Sequence, residues 1–468
     1  MAVGRCHASR IPRPGRADGD SARAPEGGRL GRVRTRCHGV PSGQRIDAEY
    51  GTTRVPRRVH PRGGGAMTEA RFPEGFVWGS GLSAHQVEGD NRHNDWWAFE
   101  QRGKVAKGQS SGRATDHYHR FAEDFALAAS LGQTAIKISV EWSRIERERG
   151  VYDEAELSHY VEVVKSARDA GLSPYVTLHH FTNPTWLGAY RWWETPETAK
   201  LFAEFVSVVV ERLRPWVDTW ITINEPMLLA SAGYLFGAWP PERKSVVASW
   251  RVVLNLVYAH KLAYKAIHDI DAECRVGPAV NVTALKTPGR PSLKDRVLGG
   301  WVDWITNYYF VDRTKGFSDF IGVQYYTRAT VQQLLSGNPH AIPRWIRKLP
   351  TTDMGWEIYP KGLFYMVRSV WRRTGLPLIV TENGIADASD ARRADFIHDH
   401  LLWLHRAIGQ GADVRGYLYW ALTDNFEWRE GYGPRFGLVA VDYDTLERTV
   451  RPSAAFYERV CRENSVPV

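Results

Sequence analysis

Cysteine is scarce in this chain. Four occur in 468 residues, Cys6, Cys37, Cys274 and Cys461. None makes a C-x-x-C pair, so neither a zinc ribbon nor a disulfide framework is signalled, and the count fits a reducing cytoplasm. No apolar run approaches the ~20 residues needed to span a bilayer, so no membrane partner is expected. No continuous apolar segment follows the early arginines, which excludes a secretory signal. No G-x-G-x-x-G follows the first β-like run and no Walker motif occurs, which removes the usual dinucleotide and P-loop readings. Neither a solenoid-period repeat nor an internal linker divides the chain beyond residue 67.

A net charge of one sign is also missing from most of the chain. The overall +9 is carried by residues 1–66, which hold 14 Arg, no Lys and 5 acidic residues. The remaining 47 basic and 47 acidic side chains cancel. Nothing in the body therefore calls for nucleic acid as a partner. Residues 1–66 are rich in Arg, Gly and Pro, with Tyr50 as their one aromatic. Such a segment buries too little apolar surface to offset its ordering entropy and is read as a disordered extension. It has the composition of an organellar presequence or a nucleic-acid-binding arm. The preferred reading is a translation start at Met67, just ahead of Phe72-Pro73-Glu74-Gly75-Phe76.

What is present, over residues 67–468, is a regular alternation. Runs rich in Val, Ile, Tyr and Trp occur at 76–83, 134–142, 174–181, 219–225, 275–283, 320–327, 377–382 and 416–422. Amphipathic stretches lie between and after them at 116–131, 154–170, 196–213, 245–270, 293–312, 361–373, 391–409 and 452–462. Eight strands alternating with eight helices predict a single (β/α)8 TIM barrel, α/β in class, with long strand-to-helix loops. A doubly wound open sheet is the alternative, without its glycine fingerprint.

In a barrel, active groups sit at the C-terminal ends of the strands. Two glutamates fall there: Glu225 after Trp220-Ile221-Thr222-Ile223-Asn224, and Glu382 after Leu378-Ile379-Val380-Thr381. A lone glutamate after a strand is ordinarily a solvated loop residue. Two at one barrel mouth can divide glycosidic bond cleavage, one moving a proton and the other attacking carbon, with carboxyls roughly 5–5.5 Å apart for retention. The other strand ends supply Gln86, Lys137 with Trp142, His180, Asn224, Asn281, Gln324 with Tyr326, and Trp420, Glu427 and Trp428. Taken singly, His180 is commonly a satisfied loop histidine and Trp420 a packing residue. Together they supply the hydroxyl partners, aromatic platform and paired carboxyls of a sugar site.

These segments resemble glycoside hydrolase family one, the β-glucosidase/β-galactosidase family. The similarity runs from about Phe72 to Val460, through FPEGFVWGSGLSAHQVEGD, DHYHRFAEDFALAASLG, TLHHFTNPTWL, WITINEP, DFIGVQYYT, LIVTENG and YLYWALTDNFEWREGYGPRFGLVAVDYDT. The resemblance implies a barrel glycosidase with Glu225 as general acid/base and Glu382 as nucleophile. It implies that Asn224 binds the sugar 2-hydroxyl and that Tyr326 donates to Glu382. Gln86, His180 and Glu427 would bind the outer hydroxyls, Trp420 would floor the sugar and Trp428 would add a contact. No metal or organic cofactor is implied.

The chain departs from that family's common pattern at three places. Lys137 in Ile136-Lys137-Ile138-Ser139 stands where an arginine usually pairs with the nucleophile, keeping the charge but losing the planar fork. Gln324 stands for a frequent Asn, and Phe181 for a frequent Trp. The expected activity is a retaining exo-β-glycosidase acting on small β-D-glucosides, with galactosides or fucosides as further substrates, in the cytoplasm. A non-catalytic glycan-binding relative on the same barrel and a 6-phospho-β-glycosidase are the alternatives. Glu427 opposes the second, since a carboxylate repels phosphate. An endo-acting cellulase or xylanase barrel is opposed by YLYWALTDNFEW. Oligomeric state is not legible.

Overall fold

The computed structural model describes residues 69–286, 292–336 and 349–468. The expected 1–66 extension and the start at Met67 lie outside the described residues.

Eight parallel strands close into a barrel: Val77–Gly81, Ala135–Ser139, Ser173–Thr177, Thr219–Asn224, Arg275–Asn281, Ile321–Gln324, Leu378–Asn383 and Val414–Trp420. The eighth pairs with the first, Gly416 opposite Val77 and Trp420 opposite Gly81, so no edge remains open. One side chain from each strand, or from the residue just before it, fills the interior: Ala135, Tyr175, Ile221, Ala279, Phe320, Ile379 and Leu418, with Val77 half-buried beside them. This plug is a packed layer rather than a pore. Truncating a buried member such as Ile221 to Ala would cost about 2–5 kcal/mol. Gly79 marks a close approach, because a Cβ there would stand 2.3 Å from the Ala135 carbonyl oxygen.

The helices behind the strands follow the predicted stretches closely. Glu154–Asp169 begins where the Asp153 carboxylate accepts from the Ala155 and Glu156 amides, and Pro360–Thr374 ends on Gly375 at φ 69°. Pro196–Leu213 buries Leu201, Phe202, Phe205, Val206, Val209 and Val210. It packs along Val246–Ile270. The predicted 293–312 helix is instead Leu293–Asp303, a π-helical turn Trp304–Tyr308, and Tyr309–Arg313.

Several strands stop short of their predicted C-terminal ends. The second ends at Ser139 and the third at Thr177, against 142 and 181. The sixth ends at Gln324, against 327. Trp142 therefore does not sit on strand two; it opens the helical turn Trp142–Ile145, packs on Phe205 and donates to Glu146. The aromatic composition continues past each strand, but the backbone turns away, as at Phe181 with φ 72°. Unforeseen small sheets pair Glu69–Arg71 with Ser465–Pro467, Ala284–Lys286 with Arg328–Thr330, and Val439–Val441 with Arg448–Val450. Among the described residues no helix is long and apolar enough to cross a membrane.

Candidate active site

Strand four runs Thr219–Asn224 and turns sharply at Glu225, where φ is 44°. The Glu225 amide donates to the Ala279 carbonyl of strand five at 2.8 Å, and Pro226 opens the following helical turn. The turn lifts the Glu225 carboxyl over the barrel mouth beside Asn281, whose Nδ2 donates to Oε1 at 2.8 Å. The residue is buried. Burial, reinforced by the nearby Glu382 charge, pushes the Glu225 carboxyl up to about 8, with Asn281 and Lys137 acting the other way. Asn281 was recognised in the sequence as a strand-five end but without a role.

Glu382 lies on strand seven, paired in register with Gln324 of strand six. Tyr326 donates its hydroxyl to Oε2 at 2.5 Å, and the Lys137 ammonium donates to Oε1. Both contacts are charge-assisted and converge on one carboxylate. Lys137 is wholly enclosed. Its Nζ also donates to Asn224 Oδ1 at 2.9 Å and lies 5.7 Å from the centre of the Trp420 ring.

Asn224 is held from both sides. Its Oδ1 accepts from Lys137 and, at 2.8 Å, from Gln324 Nε2. With the oxygen engaged, Nδ2 points to His180 Nε2 at 3.2 Å. That makes Nε2 the acceptor and Nδ1 the protonated nitrogen of a neutral ring. Burial and the Lys137 charge hold the His180 pKa well below its ordinary value. His180 Nδ1, Gln86 Oε1 and Gln324 Oε1 are buried with no hydrogen-bond partner among the described residues. Buried polar atoms are normally paired, so three unmatched ones suit a ligand carrying several hydroxyls.

A second group comes from the first and eighth strand loops. Gln86 Nε2 donates to the Phe426 carbonyl at 2.9 Å and to Glu427 Oε2 at 3.2 Å, while Asn425 Nδ2 donates to the same oxygen at 2.9 Å. Burial pushes Glu427 up to about 7, with Asn425 opposing and the Glu382 charge adding. Trp420, at the end of strand eight, packs with Ala421, Ala386 and Phe436, and with Tyr326 and Trp356. Trp428 stacks on His180 at 5.9 Å and on His85 at 5.7 Å, and meets Trp96 at 4.7 Å.

Glu225, Glu382, Lys137, Asn224, Tyr326 and His180 thus form one linked cluster, with Gln86 and Glu427 on its flank and Trp420 and Trp428 beside it. Reading strand ends missed the support behind Trp428. There His85 Nε2 meets Glu100 at 2.8 Å, and Glu100 is also held by Ser110 and Ser111. Glu100 belongs to the loop helix Asp95–Gln101. Among the described residues no group of His, Cys, Asp and Glu is arranged to hold a metal ion.

Comparison with known proteins adds a family to this geometry. The model of glycosyl hydrolase family 1 matches residues 68–314 and 306–466. Beta-glucosidase A of Thermotoga maritima is 30% identical over 446 residues, covering 86% of this chain and all of that protein. A beta-galactosidase of Sulfolobus acidocaldarius is 31% identical over 85% of this chain and 96% of its own length. Among solved structures, a beta-glycosidase from Pyrococcus horikoshii superposes with a TM-score of 0.78 at 37% identity, covering 86% of this chain and 97% of that one. Matched along nearly its whole described length, this chain belongs to glycosyl hydrolase family 1 and is an O-glycoside hydrolase of the β-glycosidase type.

Proposed function

We propose that this enzyme is a retaining, exo-acting β-glycosidase that removes terminal β-D-glucosyl residues, and β-D-galactosyl or β-D-fucosyl residues as well, from small glycosides. The observation that carries this reading is the asymmetry of the two glutamates. Glu225 is pushed up to about 8 and so keeps its proton near neutrality, whereas Glu382 accepts from an ammonium and a phenol.

In the first step Glu382 attacks the anomeric carbon as the bond to the leaving oxygen breaks, and Glu225 gives that oxygen its proton. Glu382 becomes a neutral ester, which removes the charge that added to the effect of burial in raising Glu225. Glu225, now ionised, takes a proton from water, and the water oxygen displaces Glu382 with net retention. Asn224 serves the sugar 2-hydroxyl through Nδ2, because its oxygen is engaged by Lys137 and Gln324. His180 Nδ1 and Gln86 Oε1, a donor and an acceptor, serve outer hydroxyls with Glu427. Trp420 floors the sugar and Trp428 holds the His180 ring. No cofactor enters the reaction as written.

Both glucosidase and galactosidase names occur among the relatives, which supports a site tolerant at the 4-hydroxyl. Unphosphorylated sugars are favoured over 6-phosphates because the half-buried Glu427, assigned here to the outer hydroxyls, would repel a phosphate when ionised. Hydrolysis of an aryl 6-phospho-glucoside but not of the plain glucoside would reverse this choice. The scarcity of cysteine and the two buried thiols, Cys274 and Cys461, support a cytoplasmic enzyme.

The decisive experiment is turnover of an aryl β-glucoside by Glu382→Gly and Glu225→Ala. Azide should rescue the first as the α-glycosyl azide and the second as the β-glycosyl azide. Absence of turnover in the unaltered enzyme across a panel of aryl β-glycosides would favour the glycan-binding alternative.

A further inference from the structure

Large apolar side chains are exposed in an uneven way. Ten of the thirteen such residues among the described residues lie on three helices that follow strands four, five and six. On Val246–Ile270 they are Val246, Val247, Trp250, Leu254 and Tyr258, a spacing that forms one stripe along the helix. On Leu293–Asp303 they are Leu293, Val297, Leu298 and Trp301, again one face. Val246 is 72% exposed, Leu293 78% and Trp301 56%.

The stripes are neighbours, bridged by the buried Tyr309. The Trp250 ring meets Tyr309 at 4.8 Å, and Tyr309 meets Trp304, directly after the second helix, at 5.2 Å. A Cβ at Gly299 would stand 3.9 Å from Val331, which brings the helix Val331–Ser336 and its exposed Leu335 to the same face.

We propose that this face pairs with the same face of a second copy of the chain in a two-fold dimer. The exposed apolar surface is on the order of 1,000 Å², above the roughly 300–600 Å² of the largest patch on a typical monomer and close to the ~800 Å² that each partner brings to a standard interface. The exposed aromatic and aliphatic side chains are those of an interface centre. Between Val246 and His260 the only Lys, Arg, Asp or Glu is Arg251, and along Leu293–Asp303 Lys294 and Arg296 are balanced by Asp295 and Asp303. A helix lying on lipid would instead carry a polar face rich in Lys and Arg, and a small aglycone could not cover so large an area. An apolar face whose flanking charges are of mixed sign can pair with its own copy, and two-fold pairing is the commonest closed assembly.

Light scattering and sedimentation of the full chain at micromolar concentration should give a mass of two 53.1 kDa chains. Trp250→Glu with Trp301→Glu, and separately Val247→Lys with Val297→Lys, should each weaken the dimer by about 30-fold or more. The second pair alters side chains that are more than 60% exposed, so it decides the matter if the first fails to fold. Both pairs should keep the unfolding temperature and the aryl-glucoside turnover per chain. A monomer at tens of micromolar, or a dimer indifferent to the lysine pair, overturns the proposal. Flotation of a monomeric protein with anionic vesicles would assign the face to lipid instead.

Discussion

The Lys137 ammonium donates to Glu382, tying strand two to strand seven across the barrel mouth. The same nitrogen donates to Asn224 at 2.9 Å. One cation therefore orients both the proposed nucleophile and the amide proposed to read the 2-hydroxyl. Lysine is a point charge on a flexible stem, so its two contacts depend on burial rather than on a planar fork.

Removing that cation should slow the first chemical step more than it weakens binding. Lys137→Ala is expected to lower kcat for an aryl β-glucoside by about 10²–10³-fold, the scale on which loss of one preorganised charge partner acts. Lys137→Arg should recover most of the loss. Steady-state kinetics of the two variants check this, and unchanged kcat in the alanine variant would remove Lys137 from the reaction.

Glu225, pushed up to about 8, sets an alkaline limit. The free enzyme needs the protonated form, so kcat/KM should bend downward as pH rises through about 8 and approach a tenfold fall per unit beyond it. In Glu225→Gln this limb should vanish for a substrate whose leaving group needs no proton. Glu427→Gln is the control, because Glu427 titrates near 7. A limb that disappears in the Glu427 variant and persists in the Glu225 variant would transfer the assignment.

Asn281 donates to the Glu225 carboxyl and favours its ionised form. Its removal should therefore raise the Glu225 pKa and move the alkaline limb upward. The pH profile of Asn281→Ala reads this directly; a downward movement would contradict the hydrogen bond as placed.

The same shifts bear on stability. Glu225 and Glu427 are raised above the ordinary carboxyl range of about 4.3, so over the interval up to about 7–8 the folded chain binds more protons than the unfolded one. Stability must then fall as pH rises through that interval. Glu225→Gln and Glu427→Gln should each gain more in Tm over the parent at pH 8.5 than at pH 5, at roughly 2–4 °C or less per kcal/mol for a chain of this size. Thermal unfolding at the two pH values measures the difference.

Much of this was legible beforehand. Helices such as Pro196–Leu213 and Glu154–Asp169 match their predicted bounds within a residue, because apolar periodicity and capping act locally. Glu225 and Glu382 could be picked out because each directly ends or follows an apolar run of strand type. The strand ends were overrun at Trp142 and Phe181, since aromatic residues suit both a strand and the packed turn after it. The support of Trp428 by His85 and Glu100 was invisible, because it joins the long connection after strand one to the loop after strand eight.

By itself, the sequence determined the barrel, the order of its elements and the identity of the groups at its mouth, since periodicity and residue type are properties of neighbouring positions. Only the tertiary structure decided which groups meet. Lys137 reaches Glu382 across 245 positions and Asn281 reaches Glu225 across 56. Burial at that shared mouth, with the Glu382 charge beside it, then raises the Glu225 carboxyl, a consequence of low dielectric and neighbouring charge that no single position carries.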